Sequence, residues 1–176
     1  PPEMTPALLR QLQAFLALPI SLQGSLDTLA LAADAQLDAI RFTVKPHPTH
    51  TPERLRRAFE AGGRAWPAAF EFVSADFSDC LESADAAAGS ISSTCVEAVA
   101  SGVPVIIIGS PRGITEDPIP PGMALEMRRL AFTPAEFARA AEELITKDAV
   151  RLARYTEIGR GVADACFSPV DESGVR

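Results

Sequence analysis

Four hydroxyl residues crowd one short stretch, Gly89-Ser-Ile-Ser-Ser-Thr-Cys95: Ser90, Ser92, Ser93 and Thr94. They stand between a short apolar run, Ala86 to Ala88, and a helical pattern that Gly102 and Pro104 close. Hydroxyls in that position cap a helix, with Ser92 or Ser93 as the N-cap. The first N–H groups of a helix have no partner inside it, and the aligned peptide dipoles leave partial positive charge there. An anion, most often a phosphate, is the natural ligand of such a place. The free N–H groups are expected from Ser93, Thr94 and Cys95. The same residue types also cap helices that bind nothing, so the reading turns on what else the chain brings to this edge.

His47 lies between Pro46 and Pro48. Both prolines restrict the backbone, so the imidazole is presented from a stiff loop. It can hydrogen-bond a phosphate or a ribose hydroxyl, and Lys45 adds a cation beside it. The bland alternative is a loop histidine with no ligand. His50 follows three residues on, but two histidines without a carboxylate or cysteine cluster do not make a metal site. Glu97 falls about one turn into the helix after the serines. It is either the reciprocal half of a capping box with Thr94 or Ser93 or a carboxylate that accepts ribose hydroxyls. Arg112, Glu116 and Asp117 fall in a long loop. No GxSxG, Walker or Ser-His-Asp pattern is present.

The elements that must hold these residues alternate. Gln13 to Ile20 reads as a first strand, Leu26 to Ile40 as a helix, and Ile40 to Val44 as a second strand running into Lys45-Pro-His-Pro48. Thr51-Pro52-Glu53 starts a helix cleanly, with Thr51 as N-cap and Pro52 in the first turn; Gly62-Gly63 stops it. Phe70 to Val73 reads as a strand and Asp76 to Ala84 as a short helix. Val105 to Ile108 is a β-branched run of the kind buried on both faces of a parallel sheet. Gly109 to Gly122 is rich in Pro and Gly and reads as a functional loop. A short helix and a strand at Arg129 to Phe132 follow. Thr133-Pro134-Ala-Glu136 then starts another helix with Phe137, Ala140, Ala141 and Leu144 inward, and Asp148 opens the last, to about Ala165.

Such alternation predicts an α/β fold: a Rossmann-like, doubly wound parallel sheet in three layers. One domain is expected over residues 1–167, with a polar tail at 168–176. Ligands of these sheets sit outside the carboxyl ends of the strands. That rule gathers the Lys45–Pro48 loop, the serine turn, the Gly109–Gly122 loop and Ser21 to Gly24 on one edge.

Composition bounds the function classes. The chain has 176 residues, 47% hydrophobic and 22% charged, which suits a globular domain with a sizeable core. Net charge is −7 and the pI about 4.8, so broad attraction to nucleic acid is not expected. No stretch is apolar for long enough to span a bilayer. Cys80, Cys95 and Cys166 are scattered and form no CxxC, which favours a reducing compartment. The expected location is cytoplasmic, at most peripheral at the inner face of a membrane. The chain opens on Pro1-Pro2, as a piece of something longer would.

With these residues in hand, the stretch from about Phe42 to Met123 resembles the C-terminal half of a GT-B glycosyltransferase. Val44-Lys-Pro-His-Pro48 resembles the "KPHP" strand end of bacterial surface-polysaccharide, sialic acid and Kdo transferases. Ala84 to Val105 resembles the donor-site helix, with its Ala-Asp strand, Ser/Thr turn, Glu-Ala and Gly-x-Pro-Val. Asp117-Pro-Ile-Pro120 is similar to the loop that follows in related capsule proteins. The resemblance implies a nucleotide-sugar as substrate, with no metal and no cofactor required by any motif. It implies that His47 contacts donor phosphate or ribose, as the candidate catalytic residue. Ser90, Ser92, Ser93, Thr94 and Lys45 would bind phosphate, and Glu97 would hold ribose. The chain lacks the N-terminal acceptor domain in which GT-B enzymes place the catalytic base. It also lacks the Gly often seen after the Ser at the helix start.

Two other readings stand beside this one. A UDP-sugar 2-epimerase of the same architecture needs acids and bases around a sugar carbon, and no clear set is visible. A non-catalytic α/β module would instead use the long loop for protein contact.

Overall fold

The structure is a computed structural model that describes residues 20–37, 39–110 and 115–167. Six α-helices and five strands alternate in it: α1 (Ile20–Asp34), β1 (Phe42–Val44), α2 (Pro52–Ala61), β2 (Phe70–Phe72), α3 (Phe77–Leu81), β3 (Ala87–Gly89), α4 (Ser93–Ala100), β4 (Val105–Ile108), β5 (Arg128–Ala131), α5 (Pro134–Leu144) and α6 (Ala149–Cys166). A 3₁₀ turn, Leu125–Met127, leads into β5. All pairings are parallel, in two sheets: β1 beside β2, and β3-β4-β5 with β4 central. The α/β class read from the sequence is the one observed.

β4 shows why the three-stranded sheet is covered on both faces. Its four side chains are all buried. Ile106 and Ile108 pack in one cluster with Leu22 of α1, Leu55 of α2 and Phe137 of α5. Val105 and Ile107 pack in another with Cys95, Ala98 and Val99 of α4 and Tyr155 and Val162 of α6. Successive strand residues point to opposite faces, so a run of four β-branched residues requires helices on both sides. Each such side chain removed from water contributes about 1.5–3 kcal/mol.

Helix starts follow local chemistry. Thr51 Oγ1 accepts the Arg54 N–H, with Pro52 in the first turn. Thr133 and Glu136 form a reciprocal capping box. Asp148 caps α6 through the N–H groups of Val150 and Arg151.

Two expectations change. Residues 13–19 of the expected first strand lie outside the described residues, and Ile20 opens α1 instead of ending a strand. Ser21 to Gly24 are therefore helical, not a loop. Gly24 still reaches the expected neighbourhood: a Cβ there would lie 2.2 Å from Ser90 Oγ, so α1 packs its glycine directly on the serine turn. The expected tail, 168–176, lies outside the described residues.

Candidate functional site

β3 ends at Gly89, and the chain turns through Ser90, Ile91 and Ser92 into α4. Ser92 is the N-cap, with extended backbone (φ −154°, ψ 141°). Its Oγ accepts the Thr94 N–H at 3.3 Å and lies 2.8 Å from Thr94 Oγ1. The Cys95 N–H turns back to the Ser92 carbonyl at 3.1 Å. Two of the three N–H groups expected to be free are thus engaged inside the turn. Among the described residues, the Ser93 N–H is the first-turn donor that keeps no such bond.

The turn is a hydroxyl pair with one open amide beside it. Ser93 is exposed, while Ser90, Ser92 and Thr94 are half-buried. The shared Ser92–Thr94 contact leaves one hydroxyl proton available to an incoming oxygen, since each hydroxyl donates once and accepts twice. Between Ala86 and Gly109 there is no Lys or Arg and one acid, Glu97. Backbone dipole and hydroxyls, not side-chain charge, would hold an anion here.

Beneath the turn, Cys95 is buried and its Sγ lies 3.5 Å from the Ser90 carbonyl. Burial, then the charge of Asp117, pushes its thiol up to about 12. It is a packing group, not a nucleophile.

Glu97 does not complete a capping box. With Ser92 as N-cap the reciprocal position is Cys95, and Glu97 sits two residues further on, exposed and without a side-chain hydrogen bond among the described residues. Its carboxylate is open to solvent on the outside of α4.

The Lys45–Pro48 loop leaves the carboxyl end of β1. His47 is exposed. Its Nδ1 faces Thr49 Oγ1 at 2.8 Å and accepts the Thr49 N–H at 3.3 Å. A neutral ring held this way carries its proton on Nε2, so Thr49 sets the tautomer and leaves a donor. The His50 ring stands 5.8 Å from the His47 ring and is buried. Lys45 Nζ donates to the Ala75 carbonyl at 2.6 Å, across the loop that leaves β2.

The structure brings Ser90, Ser92, Ser93 and Thr94 together. Among the described residues, Lys45 and His47 make their hydrogen bonds and ring contact with Ala75, Thr49 and His50, within their own half of the fold. Among the described residues no group of His, Cys, Asp and Glu is arranged to hold a metal ion.

The long loop is anchored. Ser110 N–H donates to Thr115 Oγ1 at 3.0 Å, closing the base around residues 111–114, which lie outside the described residues. Asp117 Oδ1 accepts the Ile119 N–H, and Arg128 Nη1 reaches both Asp117 Oδ2 at 2.7 Å and the Ile119 carbonyl at 3.0 Å. Ile119 is buried in the core on the α4 face. Asp117 is therefore a loop fastener.

Two surface hollows are formed by other described residues. One is lined by Arg129, Leu130, Glu136 and Arg139, another by Ile40, Arg41, Ala69 and Glu71. Neither is bounded by the serine turn or by the Lys45–Pro48 loop. Among the described residues, no helix is long and apolar enough to cross a membrane.

Sequence reasoning placed Gly24 on this edge but missed its close packing on Ser90, and it missed Phe132. A glycine inside a helical pattern is a signal of close approach. Phe132, directly after β5, carried no motif. No protein-family model, curated protein or solved structure matches the chain.

Proposed function

We propose that this chain carries the donor site of a GT-B-type glycosyltransferase, binding a nucleotide-sugar for surface or capsular polysaccharide synthesis. The observation that carries the reading is the Ser90–Thr94 turn: a hydroxyl pair and the open Ser93 amide at the start of α4, at the carboxyl end of a strand in a parallel sheet. That is where α/β sheets bind ligands and where a helix start receives phosphate. The motif resemblance from Phe42 to Met123 supports the same assignment.

In this reading glycosyl transfer breaks the bond between the sugar's anomeric carbon and the nucleotide phosphate oxygen and forms one to an acceptor hydroxyl, whose proton passes to the catalytic base. Negative charge grows on the departing phosphate. The Ser93 N–H and the one free hydroxyl proton of the Ser92–Thr94 pair are donated to it, and the α4 dipole favours it. His47 adds its Nε2–H when the Lys45–Pro48 loop meets the donor. Losing one donor from a site of this kind costs about 2.7–4 kcal/mol of barrier. The acceptor and the catalytic base belong, on the resemblance, to an N-terminal acceptor domain.

Calorimetric titration of the protein with CMP, CDP, UDP and GDP tests the reading. Binding of at least one of them, weakened by a Ser92→Ala/Thr94→Val double substitution, is expected. No binding by any of the four contradicts it.

A further inference from the structure

Phe132 follows β5 and is 38% exposed, with no ring–ring contact to another aromatic among the described residues. Its backbone is held: the N–H donates to Glu136 Oε2 at 2.8 Å. Its ring lies where a side chain at Gly109 would go. A Cβ on Gly109 would stand 2.2 Å from Phe132 Cε1, 2.4 Å from Cδ1 and 2.7 Å from Cζ. Only glycine at 109 allows this seat.

The side of the sheet follows from alternation. Val105 and Ile107 point to the face covered by α4. Gly109 continues that series, and its N–H still bonds the Ala131 carbonyl at 2.9 Å. The Phe132 ring therefore stands on the α4 face, over the tip of β4. The neighbouring strand tip is Gly89, paired with Ile107, and its Cβ position lies 3.4 Å from Cys95 Sγ in the first turn of α4. Adjacent strands are about 4.8 Å apart. An open aromatic ring and the serine turn thus share one face and one edge, a strand apart.

We propose that Phe132 is the stacking platform for the nucleobase of a ligand whose phosphate sits at the start of α4. The proposal rests on the donor-site reading and adds a specific contact to it. A planar base is the chemistry that uses an exposed ring beside a phosphate seat, since every base has a π-face and no hydrogen-bond code is needed. Stacking of one base on an aromatic side chain changes affinity about 5- to 150-fold.

The test is calorimetry on the full chain and on Phe132→Ala and Phe132→Tyr variants. The ligands are inorganic pyrophosphate and the tightest binder among UDP, CDP, GDP and ADP; circular dichroism confirms that each variant is folded. Phe132→Ala should weaken the nucleotide about 5- to 150-fold and leave pyrophosphate within about twofold. Phe132→Tyr should keep both. If Phe132→Ala does not fold, Phe132→Leu, which keeps an apolar group over Gly109 without a ring, is held to the same expectation. Equal nucleotide affinity in wild type and variant overturns the platform and leaves the anion site standing. So does an equal loss of nucleotide and pyrophosphate, or a wild type that prefers pyrophosphate. A wild type that binds neither ligand overturns the anion site itself.

Discussion

Replacing Gly159 with Ala sets two effects against each other in one helix. Gly159 is buried in α6, where the helix crosses the end of α4. A Cβ there would lie 2.7 Å from the Val99 carbonyl oxygen, 2.8 Å from the Gly102 nitrogen and 3.0 Å from the Ala100 carbonyl oxygen. All three are backbone atoms and cannot rotate away. Gly102 is itself fixed at φ +82°. Overpacking of this kind costs about 1–3 kcal/mol, and the rigid neighbours put it near the upper end. Ala in a helix interior returns about 0.8–1.0 kcal/mol relative to Gly. The net expectation is a loss of about 2 kcal/mol, which lowers the thermal midpoint by about 4–8 °C at 2–4 °C per kcal/mol. Gly161, two residues on in the same helix, has nothing within 4 Å of its Cβ position. Gly161→Ala should show the propensity gain alone and raise the midpoint by about 2–4 °C. Thermal denaturation of the pair by circular dichroism reads both. A Gly159→Ala midpoint at or above wild type would refute the close α4–α6 contact. The contact matters for the site because α6 fixes the position of the helix that carries Ser92 to Thr94.

Ser92→Ala removes the N-cap of α4 and should cost about 1 kcal/mol in urea unfolding. Ser93→Ala, an exposed non-capping site, should stay within about 0.5 kcal/mol of wild type. The Glu136 carboxylate accepts the N–H groups of Phe132 and Thr133, which hold it below the ordinary carboxylate range. A lowered folded-state pKa gives stability that is present above the unfolded value and lost as pH falls through the folded one. Glu136→Gln should therefore flatten the acid limb of the stability–pH curve; an unchanged limb would count against the capping box. Cys166 is exposed and should react first with iodoacetamide, while Cys95, buried with its thiol pushed up to about 12, should react only on unfolding. Peptide mapping by mass spectrometry separates the two, and early labelling of Cys95 in the native protein would contradict the packing of α4.

Where the cause of a structural feature is local, the chain could be read directly. Thr51-Pro52, Thr133-Pro134 and Asp148 start their helices as expected because the cap and the groups it satisfies lie within three residues of each other. β4 was legible because four β-branched residues tolerate burial on both faces and little else. Gly24 misled for the opposite reason. It reads as a breaker, yet it sits inside α1 because Ser90, distant in sequence, needs the space a side chain would fill. The role of Glu97 turned on where α4 is capped: Ser92, and not Thr94, is the N-cap, a difference of two residues that moves the reciprocal position off Glu97. Asp117 looked like an open loop acid, but Arg128 pairs with it across the return to β5. Arg64 and Asp34 pair in the same way over a long sequence separation. The seat of Phe132 over Gly109 depends on which face of β4 the odd positions take, which only the packed helices decide.

The most direct measurement on the serine turn is an NMR titration of the ¹⁵N-labelled protein with pyrophosphate and then with the tightest nucleoside diphosphate. If the start of α4 receives phosphate, the largest amide shifts fall on Ser93 and Thr94, with Ser93, the open donor, moving downfield and saturating along one curve with both ligands. Saturable binding whose shifts cluster elsewhere and leave Ser93 and Thr94 unmoved would contradict the assignment.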